Sequence, residues 1–269
     1  MNIEQIINRF SGDDYLDYYD RHRPSAPRAL VDTTLQYARM KHVNLVVDIG
    51  SGTGLSTYIW KDCARSVIGV DPSPDMRRLS ESHGDATTEH VQFENGQGED
   101  VPVENGSADI VSCGQVFHWM DTAKTLAEVY RILRPGGVFV VYDCAWPPAF
   151  DPVMERAYSD FFIGIDQITS GINSEVVIGH MKEEHYSNIA ESSYFDFMRE
   201  SHFHSAEPGS LERFEGVLMS QGGVHALLRK GLSEEEIGLT QFRNSIRSVA
   251  DVPDLMTFHF KAIFAMKKI

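Results

Sequence analysis

A length of 269 residues allows one large domain or a domain with a sizeable insertion, and a balance of 42% hydrophobic and 23% charged residues excludes a disordered chain. The formal net charge of -15 argues against a nucleic-acid backbone or an anionic membrane, both of which are held by clustered Lys and Arg, and leaves a small molecule as the expected partner. Three cysteines, Cys63, Cys113 and Cys144, with no CxxC pair, fit reduced thiols in a cytoplasmic protein. The stretch MNIEQIINRF is not a basic, apolar leader, and no apolar run approaches the roughly 20 residues of a membrane span, so neither signal peptide nor anchor is expected. Nothing in the sequence fixes an oligomeric state.

The first half alternates strand and helix patterns. VNLVVDI (43–49) is a continuous apolar run and predicts a strand covered on both faces. A glycine-rich turn then leads into an expected helix over 55–64. SVIGVD (66–71) predicts a second strand, and Ser73 or Pro74 opens a helix through Ser82. HVQFENG (90–96) and ADIVSC (108–113) predict the third and fourth strands. Asp121 caps a helix through Leu133 that stops at the breaker Arg134-Pro135-Gly136-Gly137, ahead of a fifth strand, VFVVYD (138–143). This alternation predicts a parallel sheet with helices on both faces. The pattern changes after Pro147-Pro148. Residues 150–193 read as helices, FMRESHFHS (197–205) as a candidate strand, and 209–248 as helical again, broken at Gly222-Gly223 and capped at Ser233. MTFHFKAIFAMKK (256–268) is β-prone. The expected arrangement is a single domain over 1–269, with an N-terminal lid segment over 1–28 and a helical substrate cap inserted over 148–250.

The chemistry concentrates in VDIGSGTGLST (47–57), which brings Gly50, Gly52 and Gly54 to the end of the first strand. Small residues let backbone amides approach a ligand closely, and a helix starting near Leu55 would aim its positive end at the same place. Asp48 stands ahead of the turn. Asp71 closes the second strand 21 residues after Gly50, where a carboxylate can accept both hydroxyls of a ribose. A dinucleotide turn wants G-x-G-x-x-G, whose third glycine lets helix and strand pack closely; Leu55 occupies that position, which speaks against an NAD-dependent oxidoreductase.

The pattern D-x-G-x-G-x-G instead resembles motif I of the class I S-adenosylmethionine (SAM) methyltransferases. GVDPSPDM (69–76), GQGEDVPVENGSADIVSC (96–113), GQVFHWMD (114–121) and RILRPGGVFVVYD (131–143) resemble further motifs of that family, in order. YDRHRPSAP (19–27) resembles the N-terminal segment of a subset that includes the trans-aconitate methyltransferase-like enzymes, with Ala26 where a second Tyr is usual. The resemblance implies an α/β, Rossmann-like fold: a seven-stranded mixed sheet of order 3-2-1-4-5-7-6, the last strand antiparallel, with helices on both faces. It implies SAM as the cofactor. Gly50, Ser51, Gly52 and Gly54 would cradle its amino-acid end, and Asp48 would hold the loop amides or the ammonium. Asp71, beside Pro72, would take the ribose. Met76 would lie near the adenine, Gly98 and Glu99 at its amino group, and Gln115 beside the methionine part. Tyr19 and Arg23 would fold over the cofactor, Arg23 at the methionine carboxylate. The implied activity is in-line transfer of a methyl group to an O, N or S nucleophile of a small molecule, a small organic acid in the nearest subset. The alternative is a SAM-binding sensor without transferase activity.

On the substrate side the resemblance points to His118 and Trp119 after the fourth strand, and position at or just past the end of the fifth strand points to Tyr142 and Trp146. Asp143 joins them because open α/β sheets bind ligands at such strand ends. His118 is a candidate general base, weighed against a packing role, since a carboxylate or thiolate acceptor needs no proton removed. His202 and His204 share a strand face without a third ligand in view, so no metal site is expected.

Overall fold

The computed structural model describes residues 13–171 and 182–268. The start of the expected lid, residues 1–12, and residues 172–181 of the expected cap lie outside the described residues. The described residues fall into two compact units, one within Met1–Pro24, Ala145–Ile178 and His204–His259, the other within Ser25–Cys144, Gly179–Phe203 and Phe260–Ile269. Among the described residues no helix is long and apolar enough to cross a membrane.

The second of these units holds most of one seven-stranded sheet. Its strands are β1 (Val43–Ile49), β2 (Ala64–Val70), β3 (Val91–Glu94), β4 (Ala108–Gly114), β5 (Leu133–Cys144), β6 (Phe195–Pro208) and β7 (Leu255–Lys267), in the order β3-β2-β1-β4-β5-β7-β6. Neighbours among β1 to β5 run parallel, and β7 runs antiparallel to β5, with Asp143 opposite Lys261. That is the order the resemblance implies, a Rossmann-like α/β sheet with its last strand antiparallel. Val46 to Ile49 are buried without interruption because helices cover both faces of a parallel sheet.

The helices of this unit present apolar stripes at helical spacing. The first two among the described residues are α1 (Asp13–His22), which belongs to the other unit, and α2 (Arg28–Ala38), which buries Leu30, Val31, Thr34, Leu35 and Ala38. In α3 (Pro74–Ser82), Ser73 caps the start by accepting from the Met76 amide at 3.4 Å. In α4 (Thr122–Ile132), Asp121 does the same for Lys124 at 3.2 Å. Val47, Val111, Phe117, Leu126, Phe139 and Ile263 meet in one buried core.

The first unit combines α1 with α5 (Pro152–Gly171), α7 (Leu211–Met219), α8 (Gly222–Arg229) and α9 (Leu239–Arg247), α6 (His185–Glu191) belonging to the sheet unit. Phe214 is its centre, with ring centroids 5.7 Å from Phe150, 5.9 Å from Tyr158 and 6.2 Å from Phe242.

Three local expectations are corrected. The helix expected over 55–64 is a series of turns around a short 3-10 segment, Tyr58–Trp60. Its amides bond mainly three residues back, Thr57 to Gly54, Trp60 to Thr57 and Cys63 to Trp60, so no α-helical dipole points at the glycine loop. The breaker 134–137 lies inside β5, not before it. The pairing of β5 with β4 jumps from Leu133 to Val138 while β4 advances only from Ala108 to Ile110, so the extra residues bulge out of an unbroken strand. The break expected at Gly222-Gly223 falls at Ser220-Gln221, between α7 and α8, and the two glycines open α8; Ser233 and Glu236 form a reciprocal capping box on a turn, not on a helix.

Candidate active site

The functional residues of the sheet unit gather at the carboxyl ends of β1, β2, β4 and β5. The chain leaves β1 with Gly50 at φ +72° and Gly52 at φ +55°. The amides of Gly50 and Ser51 both donate to the Val70 carbonyl, at 2.7 and 3.1 Å, which fixes the loop to the end of β2. A Cβ at Gly50 would lie 2.6 Å from the Val116 side chain, whereas one at Gly52 would meet nothing within 4 Å. Gly50 is therefore glycine for packing, and Gly52 faces open space. Asp71 holds this geometry: its Oδ2 accepts from the Gly52 amide at 3.0 Å and its Oδ1 from the Ser73 amide at 2.8 Å. Burial pushes the Asp71 carboxyl up from its ordinary value, against the two amides, which favour the charged form. Pro72 is half-buried and Met76 buried at the start of α3.

Asp48 is fully buried on β1. Its partners are hydroxyls: Ser56 and Thr57 donate to Oδ2 at 2.6 and 2.7 Å, and Ser112 of β4 donates to Oδ1 at 2.6 Å. One carboxylate thus ties β1, β4 and the turn together. Burial pushes its pKa up, and the three hydroxyls oppose that rise.

Gln115 follows β4 in the left-handed region, φ +57°, a conformation seldom taken by a residue with a Cβ and one that collects at functional sites. Its amide donates to the Tyr142 carbonyl at 2.8 Å, which continues the link between β4 and β5. The Tyr142 hydroxyl packs where a Cβ on Gly114 would be, 2.6 Å away. Glu99 accepts from the Asp121 amide at 2.7 Å, and Gly98 leaves room for Met120 and Thr125. Next comes the 3-10 turn Phe117–Trp119, where the His118 and Trp119 rings stand 4.8 Å apart.

Around the end of β5 lies a cluster that the sequence only half disclosed. The Asp143 carboxylate has Lys182 Nζ at 2.9 Å, His185 Nε2 at 3.3 Å and His118 Nδ1 at 3.7 Å. Burial would raise its pKa, but Lys182, His185 and His118 outweigh it and hold the carboxyl well below the usual carboxylate range. Lys182 and His185 had no signal in the sequence, because both lie far along the chain from Asp143 and at no ligand-like spacing. A folded-state pKa below the unfolded value near 4 means that Asp143 stabilises the fold above that pH and loses this contribution as pH falls through it. The urea midpoint of the wild type is expected to drop on acidification below about pH 5. The acid dependence of the unfolding free energy should shrink by on the order of 2 kcal/mol in Asp143→Asn. Identical acid profiles would contradict this role.

Three of the expected site residues, Tyr19, Arg23 and Trp146, belong to the first unit. Arg23 lies between the rings of Tyr19 and Trp146, 4.9 and 4.8 Å from their centroids. Its Nε donates to Ser220 Oγ at 3.0 Å, and its Nη2 donates to the Ser220 carbonyl at 3.1 Å and to Gln221 Oε1 at 3.0 Å. His202 is exposed beside Glu200 at 3.9 Å.

The glycine loop fits SAM. Gly52 opens on space, Asp71 stands at the end of the neighbouring strand, and the buried hydroxyls of Ser51 and Thr53 have no hydrogen-bond partner among the described residues. Residues 47–141 match the Methyltransferase domain family. An uncharacterized methyltransferase of Mycobacterium tuberculosis is 35% identical over 119 residues, 44% of this chain and 46% of the relative. A Saccharomyces cerevisiae protein named Probable S-adenosylmethionine-dependent methyltransferase CRG1 is 31% identical over 137 residues, 50% of this chain and 47% of the relative. The chain spans about half the length of the curated relatives it matches. Among solved structures, the YcgJ protein of Bacillus subtilis shares the fold at TM-score 0.54 and 19% identity, covering 90% of this chain and all of that one.

An alanine at Gly52 distinguishes a ligand cradle from a bare turn. The left-handed φ alone should cost about 1 kcal/mol of stability. The methyl group projects into the open space, so SAM affinity should fall on the order of tenfold or more beyond that cost, read by calorimetric titration beside thermal melts. Equal affinity in Gly52→Ala and wild type would remove the cradle.

Proposed function

We propose that the protein is a SAM-dependent methyltransferase acting on a small-molecule nucleophile. The observation that carries this reading is the loop in which Asp71 pins the Gly52 amide while Gly52 faces open space. The domain match and the yeast relative's name support it. When bound, SAM supplies a methyl group already activated on a sulfonium, open to in-line attack. The chain's residues bind and orient. Asp71 accepts the ribose hydroxyls, Glu99 and the Gly98 backbone meet the adenine, Met76 packs beside it, and Ser51 and the glycine amides hold the amino-acid end. Gln115, fixed in its left-handed turn, lies beside the methionine part. Preorganised contacts of this kind let the protein act mainly by positioning. The assignment of Tyr19 and Arg23 to the cofactor, and of Trp119 to the acceptor, rests on the resemblance, and that of Tyr142 and Trp146 on their place at the end of β5.

Calorimetric titration with SAM, followed by incubation of labelled SAM with the protein and a metabolite extract, tests the reading. A saturable SAM isotherm and a labelled small molecule are expected. Absence of SAM binding would overturn the assignment. Tight binding with no labelled product across varied extracts would favour a SAM sensor.

A further inference from the structure

Asp143 stands one residue before the end of β5 with its side chain buried, and three side chains from two distant segments converge on it. His118 comes from the turn after β4, and Lys182 and His185 come from the entry to α6. A buried carboxylate persists only when its charge is answered, and Lys182 answers it at 2.9 Å. The ligand-type atoms of His118, Asp143 and His185 lie within 4.8 Å of one another, and the Lys182 ammonium already supplies the positive charge that answers Asp143. The two imidazoles are not equivalent. His185 is 2% exposed and its ring packs edge-on against Phe117 at 5.1 Å. His118 stands on the strand-end turn three residues after Gln115, where open α/β sheets receive ligands.

We propose that His118 takes the proton of the methyl acceptor, with Asp143 as the positioning residue behind it and Lys182 and His185 holding Asp143, so that the acceptor is a small alcohol, phenol or amine. The proposal rests on the methyl-transfer reading above. The acceptor's electron pair forms the new bond to the methyl carbon, whose bond to sulfur breaks with its pair left on sulfur. The O–H or N–H proton passes to the neutral imidazole of His118, and the imidazolium so formed faces the ionised Asp143. Positioned bases of this kind contribute on the order of 10²–10⁴-fold. An ionised carboxylic acid needs none of this, so the cluster favours acceptors that carry a proton. Lys182 and His185 face the same carboxylate. Cys113 of β4 is nearby with its thiol held protonated by burial. Lys261 stands opposite Asp143 on β7, but its ammonium pairs with Glu200 at 3.5 Å.

The test compares wild type, Asp143→Asn, Lys182→Met and His118→Gln, each first titrated with SAM. The His118 ring resonance, identified by its loss in His118→Gln, is followed through pH by NMR on the protein alone. Loss of the carboxylate should lower the His118 pKa and loss of the ammonium should raise it, each on the order of one unit or more. Labelled SAM is then offered with a mixed pool of small alcohols, phenols and amines, and separately with a pool of carboxylic acids and thiols. Label should enter the first pool, the acid limb of the rate should follow the His118 pKa in both variants, and His118→Gln should lose about 100-fold or more in rate with SAM affinity kept. The opposite shifts keep the test decisive if one variant fails to fold. Label in the second pool alone, label in neither pool while SAM binds, or an acid limb that ignores the His118 pKa would overturn the proposal. Failure of the wild type to bind SAM would instead remove the methyl-transfer reading itself.

Discussion

Replacing Asp48 by Ala is expected to lower the unfolding free energy by about 3–5 kcal/mol, because three hydroxyls lose their acceptor at once. Ser112 and Thr57 are fully buried and Ser56 is partly so, and a buried donor left without a partner costs about 1–3 kcal/mol. The cavity left by the side chain adds to this. Urea denaturation followed by circular dichroism measures it, with an unchanged m-value as the sign that the denatured state is the same. Asp48→Asn keeps one acceptor oxygen and should fall between wild type and Asp48→Ala; Ser112→Ala removes one donor and should cost about 1 kcal/mol. A loss under 1 kcal/mol in Asp48→Ala would mean that the strands and turn are held by other contacts. The pH dependence has its own sign. Burial raises the Asp48 pKa, so this group favours folding at lower pH and loses that contribution as pH rises through its folded value, opposite to Asp143.

The same carboxylate explains what was legible in the sequence and what was not. β1 is an apolar run with no competing signal, and its bounds were read to the residue. The segment after it looks helical by composition, but Ser56 and Thr57 commit their hydroxyls to Asp48, a partner from another element, and the turn tightens into three-residue bonds. The breaker at 134–137 announces an interruption without saying which kind; pairing with β4 on either side turns it into a bulge. β7 was legible as a β-prone stretch, but its antiparallel place between β5 and β6 has no local signature and came only through the resemblance. The glycine loop and Asp71 were legible because a strand, a tight turn and the next strand end are contiguous in sequence. Lys182 and His185 were not, since only the folded chain brings α6 to the end of β5. Local chemistry is readable from spacing, and chemistry assembled across the sheet is not.

Asp71→Ala is expected to weaken SAM binding by on the order of 2–3 kcal/mol, roughly 30–150-fold in Kd, as two hydroxyl bonds to a charged acceptor disappear. The structure adds a second route to the same loss. Asp71 already accepts from the Gly52 and Ser73 amides, so its removal also frees the glycine loop and the start of α3. A drop in affinity alone therefore does not locate the ribose. The two routes separate in a cycle that pairs the protein variant with a ligand variant, SAM against an analogue lacking the ribose 2′-hydroxyl. If Asp71 takes that hydroxyl, the analogue binds wild type more weakly than SAM does, and the penalty disappears in Asp71→Ala. If Asp71 only shapes the loop, SAM and the analogue weaken in parallel and the penalty persists. The coupling is expected to be about 1–2 kcal/mol, the worth of one hydrogen bond to a charged group. A coupling of zero would assign the ribose 2′-hydroxyl to another residue while leaving Asp71 as the anchor of Gly52.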